Sequence, residues 1–298
     1  MERFTAPQYD CVKTCAGPWQ VECLPGDGAR LSRLAFNGHD LLTGPPPAFQ
    51  PPRHGWGAYE TRPVYGYDDC MPTVDPCRHP AADWDVPDHG ELCWLPWRVR
   101  AGAALDCRVR SRRLPITFRR RLEFDGPRLA WRFEVRNEGA APVLFQHVMH
   151  ALMPPEAIAA LRLPDFETAF DEIRRAPAPI GTPAAAAASI LNLPRGHAAM
   201  LLLRKVKDGR VTIRFQDGLL LRIQFPADMF PTLGIWWNRS GYPDEDNCRR
   251  SECAFEPIPG PGSSLADAAA SKTCLVAPPR SELAWRVTWE CDAPAGAK

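Results

Sequence analysis

Alternation of apolar and polar residues dominates the chain and is clearest between residues 116 and 136. Every second residue of 116–124 belongs to a mainly apolar row, and 128–136 repeats the alternation after the turn Asp125-Gly126-Pro127. A period of two on both sides of an Asp-Gly turn is typical of a β-hairpin. The pattern therefore predicts two paired strands here.

The same alternation recurs elsewhere. Residues 199–225 form a second unit with turns at Asp208-Gly209 and Asp217-Gly218, and 285–290 repeat the pattern near the end. Two short strands are expected around Asn37-Gly38. The recurrence predicts strands along most of the chain.

Helical periodicity is scarce. Residues 154–163 could form a short helix, whereas Ala184–Ala188 lies between proline-rich segments and is expected to be a loop insertion, as are 44–56 and 255–262. The 33 prolines favour short strands over long helices. We expect an all-β fold, a large antiparallel β-sandwich in one domain spanning 1–298, with its core at about 18–290.

The charge is nearly balanced, with 36 basic and 35 acidic residues and a formal charge of +1. Such a chain has no global field for nucleic acid or an anionic membrane, and no segment is apolar for long enough to span one. We expect neither partner. The N-terminus lacks the apolar region of a secretory signal, which predicts a cytoplasmic protein. The local arginine-rich run is expected on solvated strand faces; it comprises Arg108, Arg110, Arg112, Arg113, Arg119, Arg120 and Arg121.

Metal-ligand spacings are missing from the sequence. The 11 cysteines contain no C-x-x-C pair, which favours reduced, mostly buried thiols. His147 and His150 are three residues apart and would point to opposite faces of a strand. We therefore expect no metal site and no cofactor.

Four segments combine polar side chains with aromatic ones: 66–77, 87–97, 145–153 and 233–260. Aromatic faces beside hydrogen-bonding groups suit pyranose rings. Structural explanations are also open, because His89 could close a turn and Glu256 could be an exposed carboxylate. Of Trp236 and Trp237, one could lie in the core and the other on a surface.

In order and spacing these segments resemble the galactose mutarotase (aldose 1-epimerase) superfamily. The likeness covers about residues 18–290 and is carried by GARLSRLAFNGHDLL, GYDDCMPTV, PDHGELCWLPW, RLAWRFEVRNEGAAPVLFQHVMHALM, LGIWWNRSGYP and AFEPIPGPGSSLADA. The superfamily's fold is the large β-sandwich already expected.

The resemblance implies that Glu256 is the general base, His150 the general acid and His89 a residue that hydrogen-bonds the sugar. His150 is preferred to His147 because it is followed by a small and then an apolar residue. The remaining candidates for substrate binding are Arg62, Asp69, Trp94, Trp236 and His147. The chain departs from the family where no Asn-Arg pair is recognisable, and Asp68 and Asp69 precede the position of the family's substrate-binding aspartate.

The leading hypothesis is an epimerase that interconverts sugar anomers by Glu/His acid–base catalysis, as a monomer or homodimer with a small carbohydrate or sugar-like ligand. A catalytically silent carbohydrate-binding protein and an acid–base enzyme for a non-sugar substrate remain open. A sugar phosphate is a further alternative, with Arg62, Arg239, Arg249 and Arg250 as candidate phosphate ligands. A metal-dependent enzyme of cupin type is disfavoured, since its H-x-H pattern is absent.

Overall fold

A computed structural model describes residues 10–49, 58–243, 245 and 249–293. Within these residues the chain forms 23 strands, two α-helices and three short 3₁₀ helices (Ala58–Thr61, Leu92–Trp94 and Pro155–Ala157). The strands are β1 (Val12–Ala16), β2 (Trp19–Leu24), β3 (Arg30–Phe36), β4 (His39–Asp40), β5 (Tyr67–Cys70), β6 (Cys77–Arg78), β7 (Asp85–Val86), β8 (Arg98–Arg100), β9 (Ala104–Arg110), β10 (Ile116–Asp125), β11 (Arg128–Asn137), β12 (Val143–Phe145), β13 (Val148–Ala151), β14 (Ile158–Arg162), β15 (Thr168–Asp171), β16 (Ala176–Pro177), β17 (His197–Arg204), β18 (Arg210–Phe215), β19 (Leu220–Gln224), β20 (Thr232–Arg239), β21 (Ser251–Ile258), β22 (Leu275–Ala277) and β23 (Glu282–Asp292). The helices are α1 (Pro183–Leu191) and α2 (Leu265–Ala270).

Three antiparallel sheets make up most of the structure. The largest has eight strands in the order β14-β18-β19-β23-β11-β10-β9-β8. A six-stranded sheet runs β1-β2-β3-β5-β13 with β4 paired to β3, and a five-stranded sheet runs β16-β15-β17-β20-β21. One hydrophobic cluster takes Trp19, Trp131 and Trp237 from the three sheets. The expected all-β antiparallel sandwich is therefore confirmed.

The strongest sequence pattern forms the predicted hairpin. Strands β10 and β11 pair in a register that places Phe118 opposite Val135 and Leu122 opposite Trp131. All four of these side chains are buried, because the apolar rows of both strands face the core.

For the second predicted unit, residues 199–225, the strands are confirmed, but the prediction that its first turn joins paired strands is wrong. Strand β17 pairs with β15 and β20, whereas β18 pairs with β14 and β19. The turn at Asp208-Gly209 therefore carries the chain from one sheet to another. Gly209 is needed there because a Cβ would lie 1.9 Å from the carbonyl oxygen of Phe225. The hairpin at Asp217-Gly218 is confirmed.

The alanine run was expected to be a loop and is instead α1. Thr182 caps it by accepting a hydrogen bond from the amide of Ala185, and Pro183 occupies the first turn. Alanine has the highest helix propensity, and Ala186 and Ile190 bury one face. The prolines at its ends therefore marked helix boundaries.

Two other expectations about local structure were wrong. Residues 154–163 contain only the 3₁₀ turn Pro155–Ala157 before β14, because tertiary pairing with β18 overrides the weak helical pattern. Residues 255–258 belong to β21 and are not part of a loop. Glu256 is consequently only 3% exposed and is no surface carboxylate.

Arg120 departs from the expectation that the arginine run is solvated. Its side chain is fully buried and donates to the carboxylate of Asp69 and to the carbonyl oxygen of Ala29. Asp69 also accepts from the hydroxyl of Tyr67 at 2.6 Å and lies 3.0 Å from Nε2 of His147. Buried charges are tolerated when they are paired and hydrogen-bonded in this way. Arg120, Asp69 and His147 thus belong to the interior between the sheets.

The described cysteines form no disulfides, and six of the ten are buried, as the sequence predicted. Among the residues that the structure describes, no helix has both the length and the apolar character needed to cross a membrane.

Candidate active site

The six-stranded and five-stranded sheets are joined where Met153, just past β13, bridges Cys253 of β21. Two backbone hydrogen bonds of 2.7 and 2.8 Å link these residues in antiparallel register. His150 and Glu256 each lie three residues from the bridge (153 − 150 and 256 − 253). Residues directly opposite on antiparallel strands project to the same face. The register therefore places His150 across from Glu256.

The same alternation selects further side chains for that face. On the neighbouring strand β5, Asp68 lies opposite His150 and Cys70 opposite Val148. On the other side, Gly234 lies opposite Glu256, and a Cβ at this position would lie 2.8 Å from Cδ1 of Ile258 and 2.9 Å from Cε of Met200. Asp69 lies between Asp68 and Cys70 and points to the opposite face, towards Arg120.

A pocket of about 310 Å³ lies over this face. Its lining residues are Tyr59, Glu60, Val64, Val74, Asp75, Asp88, His89, His150, Leu152, Glu172, Ile173, Met200, Trp236, Tyr242, Arg250, Glu252, Glu256 and Ser263. A concave site with aromatic walls and a few convergent polar groups is typical of small-molecule binding.

His150 is held by a buried hydrogen-bond chain. The Tyr59 hydroxyl donates to Oδ2 of Asp68 at 2.7 Å and lies 3.1 Å from Nδ1 of His150. Because its one proton goes to Asp68, the Tyr59 oxygen accepts from Nδ1–H of His150. The imidazole nitrogen left for the pocket is Nε2.

The electrostatics favour a neutral His150. Burial lowers its pKa well below the ordinary value of 6.5, and His89 and Arg250 lower it further, although Asp68 opposes them. A neutral imidazole with Nδ1 protonated presents the lone pair of Nε2 and can accept a proton.

The pKa of Glu256 is shifted in the opposite direction from that of His150. Burial raises its pKa to about 8, and the nearby carboxylates Glu172 and Asp75 contribute to the shift. Glu172 is held in place by Ser263, whose amide and hydroxyl donate to its two oxygens at 2.8 and 2.6 Å. Burial also raises the pKa of Asp75 to about 6. A protonated Glu256 can donate a proton at neutral pH.

His89 reaches the pocket from a constrained turn. Its backbone is left-handed, with φ of 59°, and its amide donates to the carbonyl oxygen of Val74 at 2.7 Å. The next residue must be glycine, because a Cβ on Gly90 would lie 2.0 Å from the carbonyl oxygen of Met71. The imidazole stacks on the ring of Tyr59 at a centroid distance of 3.7 Å.

Four of the eight predicted site residues line the pocket: His150, Glu256, His89 and Trp236. The other four are Arg62, Asp69, Trp94 and His147, which the structure does not bring into it. Asp69 and His147 bond each other in the interior.

Arg62 and Trp94 lie beside the pocket and not in its lining. Arg62 is buried, and its guanidinium donates to Asp27 at 2.6 Å and to the carbonyl oxygen of Cys93. It lies 5.2 Å from the ring centroid of Trp94, which is 38% exposed. Arg62 also lies 3.6 Å from Asp68, whose carboxylate is 3.0 Å from the buried Arg30. Arg62 and Arg30 therefore stabilise the acceptor at the end of the His150 chain.

Three features of the site are not apparent from the sequence patterns: Tyr59, Glu172 and the role of Asp68 as a partner of His150. Nothing near Tyr59 in the sequence marks it, since its role depends on a hydroxyl that meets another segment. Alternation puts Asp68 on the face opposite to that of Asp69, but its place opposite His150 depends on the pairing of β5 with β13, which local patterns do not reveal.

A cluster of possible metal ligands is likewise not apparent from spacings in the sequence. Cys70, His89 and His150 each offer one ligand atom, and these atoms all lie within 4.8 Å of one another. They come from three segments that only the fold brings together.

Comparison with solved structures supports the architecture. A protein from Synechocystis sp. PCC 6803, Slr1438, is similar with a TM-score of 0.73 at 15% identity, and 99% of each chain is covered. A galactose mutarotase-like protein from Clostridium acetobutylicum gives 0.67 at 14% identity over 96% of each chain. A proposed aldose 1-epimerase from Escherichia coli K12 gives 0.64 at 13% identity, covering 96% of this chain and 100% of the other.

Sequence comparison gives no assignment, since no family model and no curated protein matches the chain. At the identities above, structural likeness establishes the fold and leaves the chemistry to the site. The resemblance inferred from the order and spacing of the segments is confirmed for the fold: the chain has the galactose mutarotase-like fold.

Proposed function

We infer that the protein is an aldose 1-epimerase-like enzyme that interconverts the anomers of a sugar, with Glu256 and His150 as its proton-transfer pair. The observation that carries this proposal is the placement of both side chains across one pocket, at matching distances from the Met153–Cys253 bridge. A silent binding protein would not require both groups to face the ligand.

The reaction needs two proton transfers. One group takes the proton of the anomeric hydroxyl while the other protonates the ring oxygen, and the ring opens to the aldehyde. Rotation about the C1–C2 bond and reversal of both transfers close the ring in the other configuration. Each positioned acid or base contributes roughly 10²–10⁴ in rate.

For both transfers to occur, Glu256 and His150 must together carry one exchangeable proton, so that one acts as the acid and the other as the base. The resemblance implies the distribution with Glu256 ionised and His150 protonated, whereas burial and the neighbouring charges favour a protonated Glu256 and a neutral His150. The two distributions interconvert at ring opening, so each turnover passes through both. The environment of the pair then assigns the resting proton to Glu256.

The rest of the pocket suits a polyhydroxylated ring. Trp236 offers an aromatic face and donates from Nε1 to Glu252 at 3.1 Å, which fixes its orientation. His89 lies beside Tyr59 and supplies a polar atom for a hydroxyl. Pyranoses combine apolar C–H faces with hydroxyl rims, which matches this lining.

Charge favours an unphosphorylated sugar. The lining carries the carboxyl groups of Glu60, Asp75, Asp88, Glu172, Glu252 and Glu256. The lining residues include Arg250, but its positive charge is already paired with the carboxylates of Glu60 and Glu252. Arg62 is buried in its pair with Asp27, and Arg239 donates to the carbonyl oxygen of Leu193. A phosphate dianion would meet net repulsion here.

Polarimetry tests the proposal. Freshly dissolved α-anomers of several aldoses and of their 6-phosphates are followed with the wild type and with His150→Gln. We expect acceleration for at least one neutral aldose, less for its phosphate, and none with the variant. Ligand binding without acceleration for any sugar would replace the proposal by a carbohydrate-binding protein.

A further inference from the structure

Three side chains that can ligate a metal lie close together at the pocket: His89 and His150 line it, and Cys70 is buried next to them, outside the lining. Cys70 and His150 lie on the paired strands β5 and β13, on the same face and in diagonal positions, and His89 approaches from the turn above. Diagonal neighbours in an antiparallel pair are within reach of each other's side chains. Cys70 is fully buried and His150 is only 7% exposed, so both side chains are shielded from solvent.

His150 already has the partner that a metal-bound imidazole requires. A ligating histidine usually has its other ring nitrogen held by a carboxylate, carbonyl or similar acceptor, which fixes the tautomer. Nδ1 of His150 is held by Tyr59, and Tyr59 in turn by Asp68. Nδ1 of His89 lies 3.0 Å from Oδ1 of Asp88 but makes no hydrogen bond within the described residues. Nε2 of His150 is therefore available to an ion, and one ring nitrogen of His89 is the second nitrogen donor.

The donor set selects the kind of metal. One thiolate and two imidazoles suit Zn²⁺ and related late transition metals, whereas Mg²⁺ and Ca²⁺ require oxygen ligands. Ligand atoms around tetrahedral zinc are about 3.4–3.6 Å apart, given Zn–S and Zn–N bonds of about 2.3 and 2.0–2.1 Å. The present limit of 4.8 Å therefore needs side-chain movements of roughly 1 Å. The fourth position would open into the pocket.

We propose that Cys70, His89 and His150 form a binding site for one Zn²⁺ ion at the pocket. Binding displaces the thiol proton of Cys70 to solvent and takes the free nitrogen of His150. Occupation of the site and proton transfer by His150 therefore exclude each other, a consequence that rests on the proposed function. The site itself does not.

Cobalt titration tests the site without any sugar. Co²⁺ bound by a thiolate gives a near-ultraviolet charge-transfer band, which is measured for chelator-treated wild type, Cys70→Ser and Cys93→Ser. Cys93 is a matched control, since it is also buried and its Sγ lies 3.8 Å from the carbonyl oxygen of His89, outside the ligand set. Comparison with Cys70→Ser also removes any signal from the exposed Cys11 and Cys15.

We expect one Co²⁺ per chain with the thiolate band in wild type and Cys93→Ser, and loss of the band in Cys70→Ser. His89→Gln removes a proposed ligand and should weaken Co²⁺ binding by about tenfold or more, since loss of a group that merely supports a ligand already costs about 10–100-fold. It covers the case in which Cys70→Ser fails to fold. The site would be overturned if the wild type gave no thiolate band, or if the band survived in both Cys70→Ser and His89→Gln.

The kinetic consequence is measured separately, as the mutarotation rate at increasing Zn²⁺. The rate should fall with occupancy in the wild type and stay constant in Cys70→Ser. An unchanged rate at full occupancy contradicts the exclusion but leaves the site standing. If no sugar is turned over, the proposed function fails and the cobalt result is unaffected.

Discussion

The hydroxyl oxygen of Tyr59 lies 3.1 Å from Nδ1 of His150 and donates its own proton to Asp68. This contact decides which imidazole nitrogen faces the pocket, and so which atom can exchange a proton with a ligand. Burial and the charge of Asp68 raise the pKa of Tyr59 well above its ordinary value, so the phenol keeps its proton. Tyr59 is thus a positioning residue for His150.

Tyr59→Phe should lower kcat for mutarotation by about tenfold or more, because the Nδ1–H tautomer of His150 loses its acceptor. The ring that stacks on His89 is retained. Nitrogen-15 NMR of the imidazole should show a mixture of tautomers in the variant.

Tyr67→Phe is the matched control, since Tyr67 is equally buried and donates to Asp69 on the opposite face. The Tyr67→Phe protein should be less stable than the wild type, with kcat unchanged. Equal effects of the two substitutions on kcat would contradict the positioning role.

His150→Gln and His147→Gln should separate activity from stability. His150→Gln removes the proton acceptor and should cost roughly 10² or more in rate with little change in unfolding. His147→Gln breaks the buried contact with Asp69 and should reduce the free energy of unfolding by about 1–3 kcal/mol with the rate retained. Mutarotation and thermal denaturation of both variants measure this, and the reverse assignment would place the wrong histidine in the site.

Glu256→Gln should stabilise the protein at alkaline pH. Burial raises the pKa of Glu256 from 4.5 to about 8, so the folded state holds the proton more tightly than the unfolded chain. The contribution of the protonated carboxyl is therefore complete below about pH 4.5 and is lost as pH rises through about 8. The neutral glutamine undergoes no such loss.

The Tm difference between Glu256→Gln and wild type is measured at pH 5, 7 and 9. It should move in favour of the variant as pH rises, by about 2–4 °C for each kcal/mol of relative stabilisation. Parallel Tm curves would show that Glu256 is not buried with a raised pKa.

The pH profile of kcat/KM in chelator-treated protein should be bell-shaped, because the pair works only with one proton between its members. The alkaline limb should lie near pH 8, where Glu256 loses its proton. The acid limb should lie below 6.5, since the pKa of His150 is lowered.

Glu172→Gln sharpens this test, because it removes a carboxylate that raises the pKa of Glu256. The alkaline limb should move to lower pH while the acid limb stays. Glu167→Gln is the control, an exposed carboxylate paired with Lys205, and should leave both limbs in place. An alkaline limb that Glu172→Gln does not move would assign it to another group.

Much of the fold could be predicted because alternation is a local property. The hairpin of β10 and β11 follows from which side of a strand a residue occupies, whereas the choice of His150 over His147 came from the small and apolar residues that follow His150 in the resemblance. The alanine helix α1 was missed although its cap, Thr182 followed by Pro183, is a local signal; its buried face at Ala186 and Ile190 depends on tertiary packing. Arg120 was misplaced because a buried charge is tolerated only with a partner, here Asp69, that lies far away in the sequence.

The site, too, could be predicted only as far as its residues stand in recognisable segments. His89, His150 and Glu256 stand in recognisable segments, but Tyr59 and Cys70 act through atoms that meet only after three segments fold together. Spacing within one segment cannot reveal such contacts.

Exchange spectroscopy by NMR tests the central claim most directly, since it measures anomer interconversion at equilibrium. Wild type, Glu256→Gln and Glu167→Gln are compared on the neutral aldose that polarimetry identifies. The account predicts exchange cross-peaks with the wild type and Glu167→Gln, and the uncatalysed rate with Glu256→Gln. Wild-type exchange that persists in folded Glu256→Gln would contradict the assignment of Glu256 to proton transfer.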